Sequence, residues 1–217
     1  ISTDLSPLES ISLGANYKRN TTLRIYAGAE TFNKTTTWPD ISGNISSSFY
    51  SRLFGGAIKT SSLTFGYKGT TTSSGQGPGE VTKRAHKSEW VPLIGWDATW
   101  KNGVRTTFNI RHSRGETWDY RGTGSRKVSR VTVVNFSLRH SLRAPQGMYI
   151  PLAGRTLKFK SDLTLSIDIS YESRLEKTPT ANNRIDVHTR KFSIVPKASY
   201  SFSKNVSGSA NARFEQN

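Results

Sequence analysis

Apolar and polar residues alternate with period two along most of the chain, the signature of strands with two unlike faces. In LTLSIDISYESR, Leu163, Leu165, Ile167, Ile169 and Tyr171 fall on one parity; Thr164, Ser166, Asp168, Ser170 and Glu172 fall on the other. SISLGANYK aligns Ile11, Leu13, Ala15 and Tyr17, and TTLRIYAGAETF aligns Leu23, Ile25, Ala27 and Ala29. DISGNISSSF aligns Ile41, Ile45 and Phe49; SSLTFGYKG aligns Leu63, Phe65 and Tyr67; LIGWDATW aligns Ile94, Trp96, Ala98 and Trp100. GVRTTFNIRHS sets Val104, Phe108 and Ile110 against Arg105, Asn109 and Arg111, and VVNFSLRHSL sets Val134, Phe136, Leu138 and Leu142 against Asn135 and Arg139. With LKFKSDLTLSIDISY, RKFSIVPKASYSF and NVSGSANARF, the pattern predicts about ten strands. Many run ten residues or more, close to the roughly 9–11 that a tilted strand needs to cross a bilayer. No comparable stretch has helical periodicity.

The predicted connections differ in length. RNT, KNG and SKN read as tight turns, KNG as a two-residue Asn-Gly hairpin. Long polar loops are expected at about 70–87, 114–130 and 172–186, and RAPQGMYIPLAGRT is long where a short turn would keep the alternation. Short turns at one end and long loops at the other are the habit of outer-membrane barrels. Pro196 cannot donate to a ladder and is expected at a bulge or an edge position, in a barrel at a bulge. The apolar parity also contains Ala27, Ala98, Ala198 and Ala210, small residues that lipid tolerates more readily than a close-packed core does. Tyr17, Phe49, Tyr67, Trp90, Trp100, Tyr171, Phe202 and Phe214 gather toward predicted strand ends, as interfacial girdles do.

Composition supports a wet interior. Only 34% of the 217 residues are apolar, low for a globular domain with a large core. A barrel whose strands face water on one side needs no such core. There is no cysteine, so disulfides and thiolate metal sites are excluded. No apolar run is long enough for a transmembrane helix. The chain begins ISTDLSPLES, without a basic leader, and ends NARFEQN inside a strand pattern; it reads as a segment of a larger chain.

Catalytic chemistry has no foothold in the pattern. The histidines His86, His112, His140 and His188 lie apart and read as isolated surface or lumen groups. GTGSRKVS is Gly-rich and basic but lacks phosphate-loop spacing. Asp162 and Asp168 would stand about 20 Å apart along one strand, too far for a paired acid and base. No catalytic residue, metal ligand or cofactor is expected. The net charge of +16 implies an anionic neighbour. Arg105, Arg111, Arg139, Lys158, Lys160 and Lys197 fall on polar strand faces and are the candidate lumen-facing cations; Leu163, Leu165, Ile167 and Ile169 are the candidate lipid-facing residues. Lys83, Arg84, Lys87, Arg114, Arg121, Arg126 and Lys127, with Arg130 and the interleaved Trp118 and Tyr120, are assigned to loops that meet lipopolysaccharide phosphates or an acidic client.

VPLIGWDATWKNGVRTTFNIRHSR resembles the C-terminal region of the SprA/Sov family, the giant outer-membrane translocon of type 9 secretion. LKFKSDLTLSIDISY and FSIVPKASYSFSKNVSGSANARF look like strands that follow in that family, and WPDISGNISS resembles an earlier segment. The resemblance covers roughly residues 38 to 214. It implies an antiparallel transmembrane outer-membrane β-barrel in one chain of about 36 strands, of which these form an arc. It further implies passage of folded secreted proteins through a wide lumen, with plug and shuttle proteins as partners. Loops 70–87 and 114–130 are more basic than that pattern, which leaves open a relative with another cargo. Two other readings remain: a complete ten-stranded porin or adhesion barrel, and a soluble basic β protein binding nucleic acid or polysaccharide. The membrane reading calls for no nucleic acid.

Overall fold

A computed structural model describes residues 1–8, 10–26, 29–46, 56–77, 79–122, 124–150, 155–179, 184–201 and 207–216. All regular structure among them is strand, in one antiparallel sheet: β1 (Ser2–Leu8), β2 (Ile11–Tyr26), β3 (Ala29–Ser46), β4 (Ile58–Gln76), β5 (Glu80–Trp100), β6 (Arg105–Asp119), β7 (Ser125–Ile150), β8 (Arg155–Pro179), β9 (Arg184–Ser201), β10 (Ser207–Asn211) and β11 (Phe214–Gln216). Each strand from β1 to β9 pairs with the next in sequence, and β11 continues beyond β10 along β9. Among the described residues β1 does not pair with β10 or β11, so the sheet is open. The longest strands, β7 and β8, have 26 and 25 residues, several times the usual 5–6.

Direct cross-strand partners share a face, so the register assigns every face. Leu63, Trp96, Phe108, Phe136, Ile169, Ile194 and Phe214 form one row across seven strands. Leu138, Ile167 and Pro196 form another, toward the β5–β6 turn. The apolar parity spans Trp90 to Trp100 on β5, Val134 to Leu142 on β7 and Leu163 to Tyr171 on β8, close to the roughly 9–11 residues of a tilted crossing. Nothing covers this band among the described residues. Ile41, Trp90, Ile94 and Leu165 are 42%, 39%, 43% and 40% exposed, and among the described residues only Ile58 and Ala98 are buried apolar residues. A soluble sandwich would cover such a face with a second sheet.

Beyond the band, β4–β9 continue as a rim that is polar on both faces. The stretches expected as loops, 70–87, 114–130 and 172–186, are therefore mostly strand: β4 runs to Gln76, β5 starts at Glu80, β6 ends at Asp119, β7 starts at Ser125, and β8 runs to Pro179. Two polar faces leave no period-two contrast to read, yet the Thr and Val content still suits a strand. The RNT turn is likewise absent, because β2 passes straight through Arg19, Asn20 and Thr21. Ser2–Leu8, unassigned from the pattern, is β1. The long link after Leu142 is mostly hairpin too, with β7 reaching Ile150 and β8 starting at Arg155. Phe49, Phe202 and the SKN turn lie outside the described residues.

KNG turns the chain, but one residue more loosely than expected. Trp100 N–H donates to Val104 O at 2.8 Å and Gly103 N–H to Trp100 O at 3.0 Å, with Gly103 at φ 82°. This is a turn followed by a left-handed glycine, not a two-residue loop. Pro196 makes no bulge: it faces Ile167 with no register shift. Its carbonyl accepts from Ala212 N–H at 3.2 Å, so its ring nitrogen faces the same side and supplies no donor. The ladder breaks there, which separates β10 from β11. True bulges occur at 37–40 on β3 and 90–94 on β5. Between them Gly69 sits so close to the β3 bulge that a Cβ would come 2.7 Å from Trp38 O.

Candidate functional site

The two faces of the sheet present different chemistry. On the polar face, Arg105 lies directly opposite Arg139, and the row continues through Ser166 and Lys197 to Asn211. The neighbouring row holds Asp97, Thr107, Ser137 and Asp168. Thr107 Oγ1 donates to Asp97 Oδ1 at 2.7 Å, Ser137 Oγ donates to Asp168 Oδ1 at 2.6 Å, and Lys197 Nζ stands 3.4 Å from Asp168 Oδ2. Thr107, Ser137, Asp168, Lys197 and Asn211 line a depression of about 580 Å³ that also takes in Asn135, Ser170, Ser193 and Arg213. A second hollow of about 350 Å³ shares Ser137, Asp168 and Lys197 and adds Arg139 and Ser166. The surface is wet and hydroxyl-rich, with more fixed positive than negative charge. Arg105 and Arg139 have no ion pair among the described residues.

Of the candidate lumen-facing cations, Arg105, Arg111, Arg139 and Lys197 lie on this one polar face. Arg111 sits across from Val133, above the others, with its Nε 3.0 Å from Asn109 Oδ1. Lys158 and Lys160 belong to β8, but their side chains lie outside the described residues. Leu163, Leu165, Ile167 and Ile169 occupy the opposite, uncovered face. Arg213 was missed as a member of the polar groove, and Asp97 as the acceptor of the Thr107 hydroxyl beside it. The four histidines are apart, as expected, but their register places all of them on the apolar-band side. His86, His112 and His188 hydrogen-bond Thr71, Thr132 and Ser173 at 3.0, 2.9 and 3.1 Å.

Of the aromatic residues expected toward strand ends, Trp100 ends β5 and Phe214 begins β11, whereas Tyr17, Tyr67, Trp90 and Tyr171 lie within longer strands. Tyr17 meets Trp38 edge-on at 6.0 Å, and Tyr67 lies 4.7 Å from Trp90. At the turn end, Trp96 and Trp100 stand perpendicular at 6.3 Å. Their indole N–H groups donate to Ser61 Oγ at 3.0 Å and Thr106 Oγ1 at 2.9 Å. An apolar ring with a satisfied polar tip suits a boundary between hydrocarbon and water.

The basic residues expected in loops stand on strands, except Arg121 in the β6–β7 turn, and they divide between faces. Arg84, Arg114 and Arg126 share the apolar-band side, whereas Lys83, Lys87 and Lys127 take the other. Many are neutralised. Glu116 pairs with Arg114 and, at 2.8 Å, with Arg126; Lys127 reaches Glu176 at 2.8 Å, Lys87 reaches Glu89 at 2.7 Å, and Arg121 reaches Asp119 at 2.6 Å. Hydrogen bonds from Arg126 and then Arg114 hold Glu116 below the usual carboxylate range. Arg121 does the same to Asp119, and Lys127 to Glu176. Arg126 lies 5.8 Å above the Trp118 ring. The chain matches no family model and no curated protein.

Proposed function

We propose that this sheet is part of the wall of an outer-membrane β-barrel that conducts proteins, in the manner implied by the resemblance to the type 9 secretion translocon. The observation that carries the membrane reading is the uncovered apolar band running across an antiparallel meander, with a mostly polar face behind it. Lipid on one side and water on the other would make that arrangement favourable. The aromatic edges fit the two interfaces of a bilayer, and the polar rim then stands outside the cell.

In this reading the protein is not an enzyme. It works by confinement and by the field along its passage. Arg105, Arg139 and Lys197 line the wet wall and draw acidic patches of secreted client proteins, weakly and with salt dependence. Plug and shuttle proteins close and empty the passage, while outer-membrane lipid and lipopolysaccharide surround it. The test is the native chain in detergent-extracted bacterial outer membranes, mapped by peptides on a denaturing gel. A band far above 24.1 kDa is expected. A membrane band near that mass leaves a small complete barrel, and a soluble band overturns the membrane reading. Depletion of the chain should retain client proteins in the periplasm; undiminished release rejects protein conduction.

A further inference from the structure

We propose that the outward face of the rim on β5–β7 is a binding site for the phosphates of a multiply phosphorylated glycolipid in the outer leaflet. The proposal rests on the reading that the apolar band faces hydrocarbon, and it adds a specific lipid partner at the upper edge of that band.

Above the level of His112 the cations of these strands are sorted by type. The side continuous with the apolar band has Arg84, Arg114, Arg126 and Arg130; the opposite side has Lys83, Lys87 and Lys127. General attraction to anions would not distinguish the two residues. Arginine is more weakly hydrated and offers a planar fork that fits phosphate, whereas lysine offers a well-hydrated point charge.

Arg114 and Arg130 are also direct cross-strand partners, a juxtaposition that is unfavourable between like charges. Glu116 neutralises Arg114 and Arg126, but Arg130 has no ion pair among the described residues, nor does Arg84. A phosphate between Arg114 and Arg130 would remove that repulsion. Below it, Val134 and Phe136 continue the same face into the apolar band, where acyl chains would lie. The arginines stand at two heights. Arg126 and Arg84 flank Trp118, about 13 Å along the strand from the Arg114–Arg130 pair at roughly 3.3 Å per residue. One phosphodiester headgroup does not span that distance, whereas a glycolipid with separated phosphates does.

The test uses the full chain in nanodiscs containing either bis-phosphorylated lipid A or phosphatidylglycerol, with bound lipid counted by native mass spectrometry. Lipid A should be preferred. Replacing Arg114→Gln and Arg130→Gln together should weaken its retention about tenfold, the scale for loss of charge-assisted hydrogen bonds. Lys83→Gln with Lys87→Gln, at similar height on the other face, should not. Arg130→Lys keeps the charge and should still lose several-fold if the planar fork matters. Equal retention of both lipids, an equal effect of the lysine pair, or displacement of lipid A by millimolar inorganic phosphate would each overturn the site. If the chain fails to enter the nanodiscs, the membrane reading falls and the site with it. If it enters normally but the arginine variants retain lipid A fully, only the site falls.

Discussion

The same strands hold together in two ways along their length. In the band, Phe108, Phe136 and Ile169 line up on one face, while on the other Thr107 bonds Asp97 and Ser137 bonds Asp168. In the rim, the ladder is unbroken between β6 and β7, yet both faces are polar and cross-strand ion pairs take over: Arg126 to Glu116, Lys127 to Glu176, and Lys177 to Asp186 at 3.6 Å. Register in the band is fixed by parity, since a one-residue slip would turn every apolar side chain to the wrong face. The rim has no such penalty, and its ion pairs support a register that also sets Arg114 against Arg130. On the membrane reading proposed above, the difference is one of solvent: a face that is apolar against lipid needs no partner, whereas a face in water gains little from being apolar and something from charge.

The strongest way to break the comparison is to put charge into the band. Ile167→Arg should cost about 2–4 kcal/mol if the residue sits near a bilayer midplane, and Ser166→Arg, one residue away on the wet face, should cost little. Urea unfolding of the full chain in lipid vesicles measures both. Equal costs would remove the distinction between the faces. Next in size is Gly69→Ala at the upper edge of the band. The new methyl group would meet the Trp38 carbonyl of the β3 bulge at 2.7 Å, and the backbone must move. Overpacking of that kind costs about 1–3 kcal/mol, read by the same unfolding measurement.

The band was legible in the sequence and the rim was not, for one physical reason. Leu163, Leu165, Ile167 and Ile169 alternate against Thr164, Ser166 and Asp168, so parity alone reveals both their strand and their face. Val128, Arg130 and Thr132 alternate with Ser129 and Val131 without contrast in polarity, so a strand read as a loop. The two merged strands of β2 failed similarly, because Arg19, Asn20 and Thr21 mimic turn composition while pairing with Thr36, Thr35 and Lys34. Pro196 was legible as a missing donor but not as to where the gap would fall; that depends on which neighbour its nitrogen faces. The polar cluster of Arg105, Arg139, Lys197 and Asp168 could be assigned a face from parity, but the register that brings Arg105 against Arg139 is a property of the fold.

A smaller effect sharpens the role of the boundary. Tyr67 and Trp90 are direct partners with ring centroids 4.7 Å apart, and such pairs contribute about 0.5–1.5 kcal/mol beyond their buried area. A double-mutant cycle of Tyr67→Leu and Trp90→Leu should return a coupling in that range. A coupling near zero would make these aromatics simple edge markers that act independently.

The smallest expected effect lies in the rim. Glu116→Gln removes the charge that holds Arg114 and Arg126, and exposed pairs of this kind contribute under about 1 kcal/mol. The effect should shrink as salt is raised, since the arginines are accessible to solvent. Acid provides the same test without mutation. The Glu116 carboxyl titrates below its ordinary value because Arg126 and Arg114 bond its charged form. Its contribution is therefore fully present above the unfolded-state value of about 4.3 and is lost as pH falls from there through the lower folded-state value. Amide exchange of β6 and β7 in the full chain should hold steady from neutrality to about pH 5, after correction for the intrinsic rate. Below about pH 4 the rim amides should open while those of Phe108 and Phe136 stay protected. Simultaneous loss in both regions would mean that rim and band unfold as one unit and that the ion pairs have no local role.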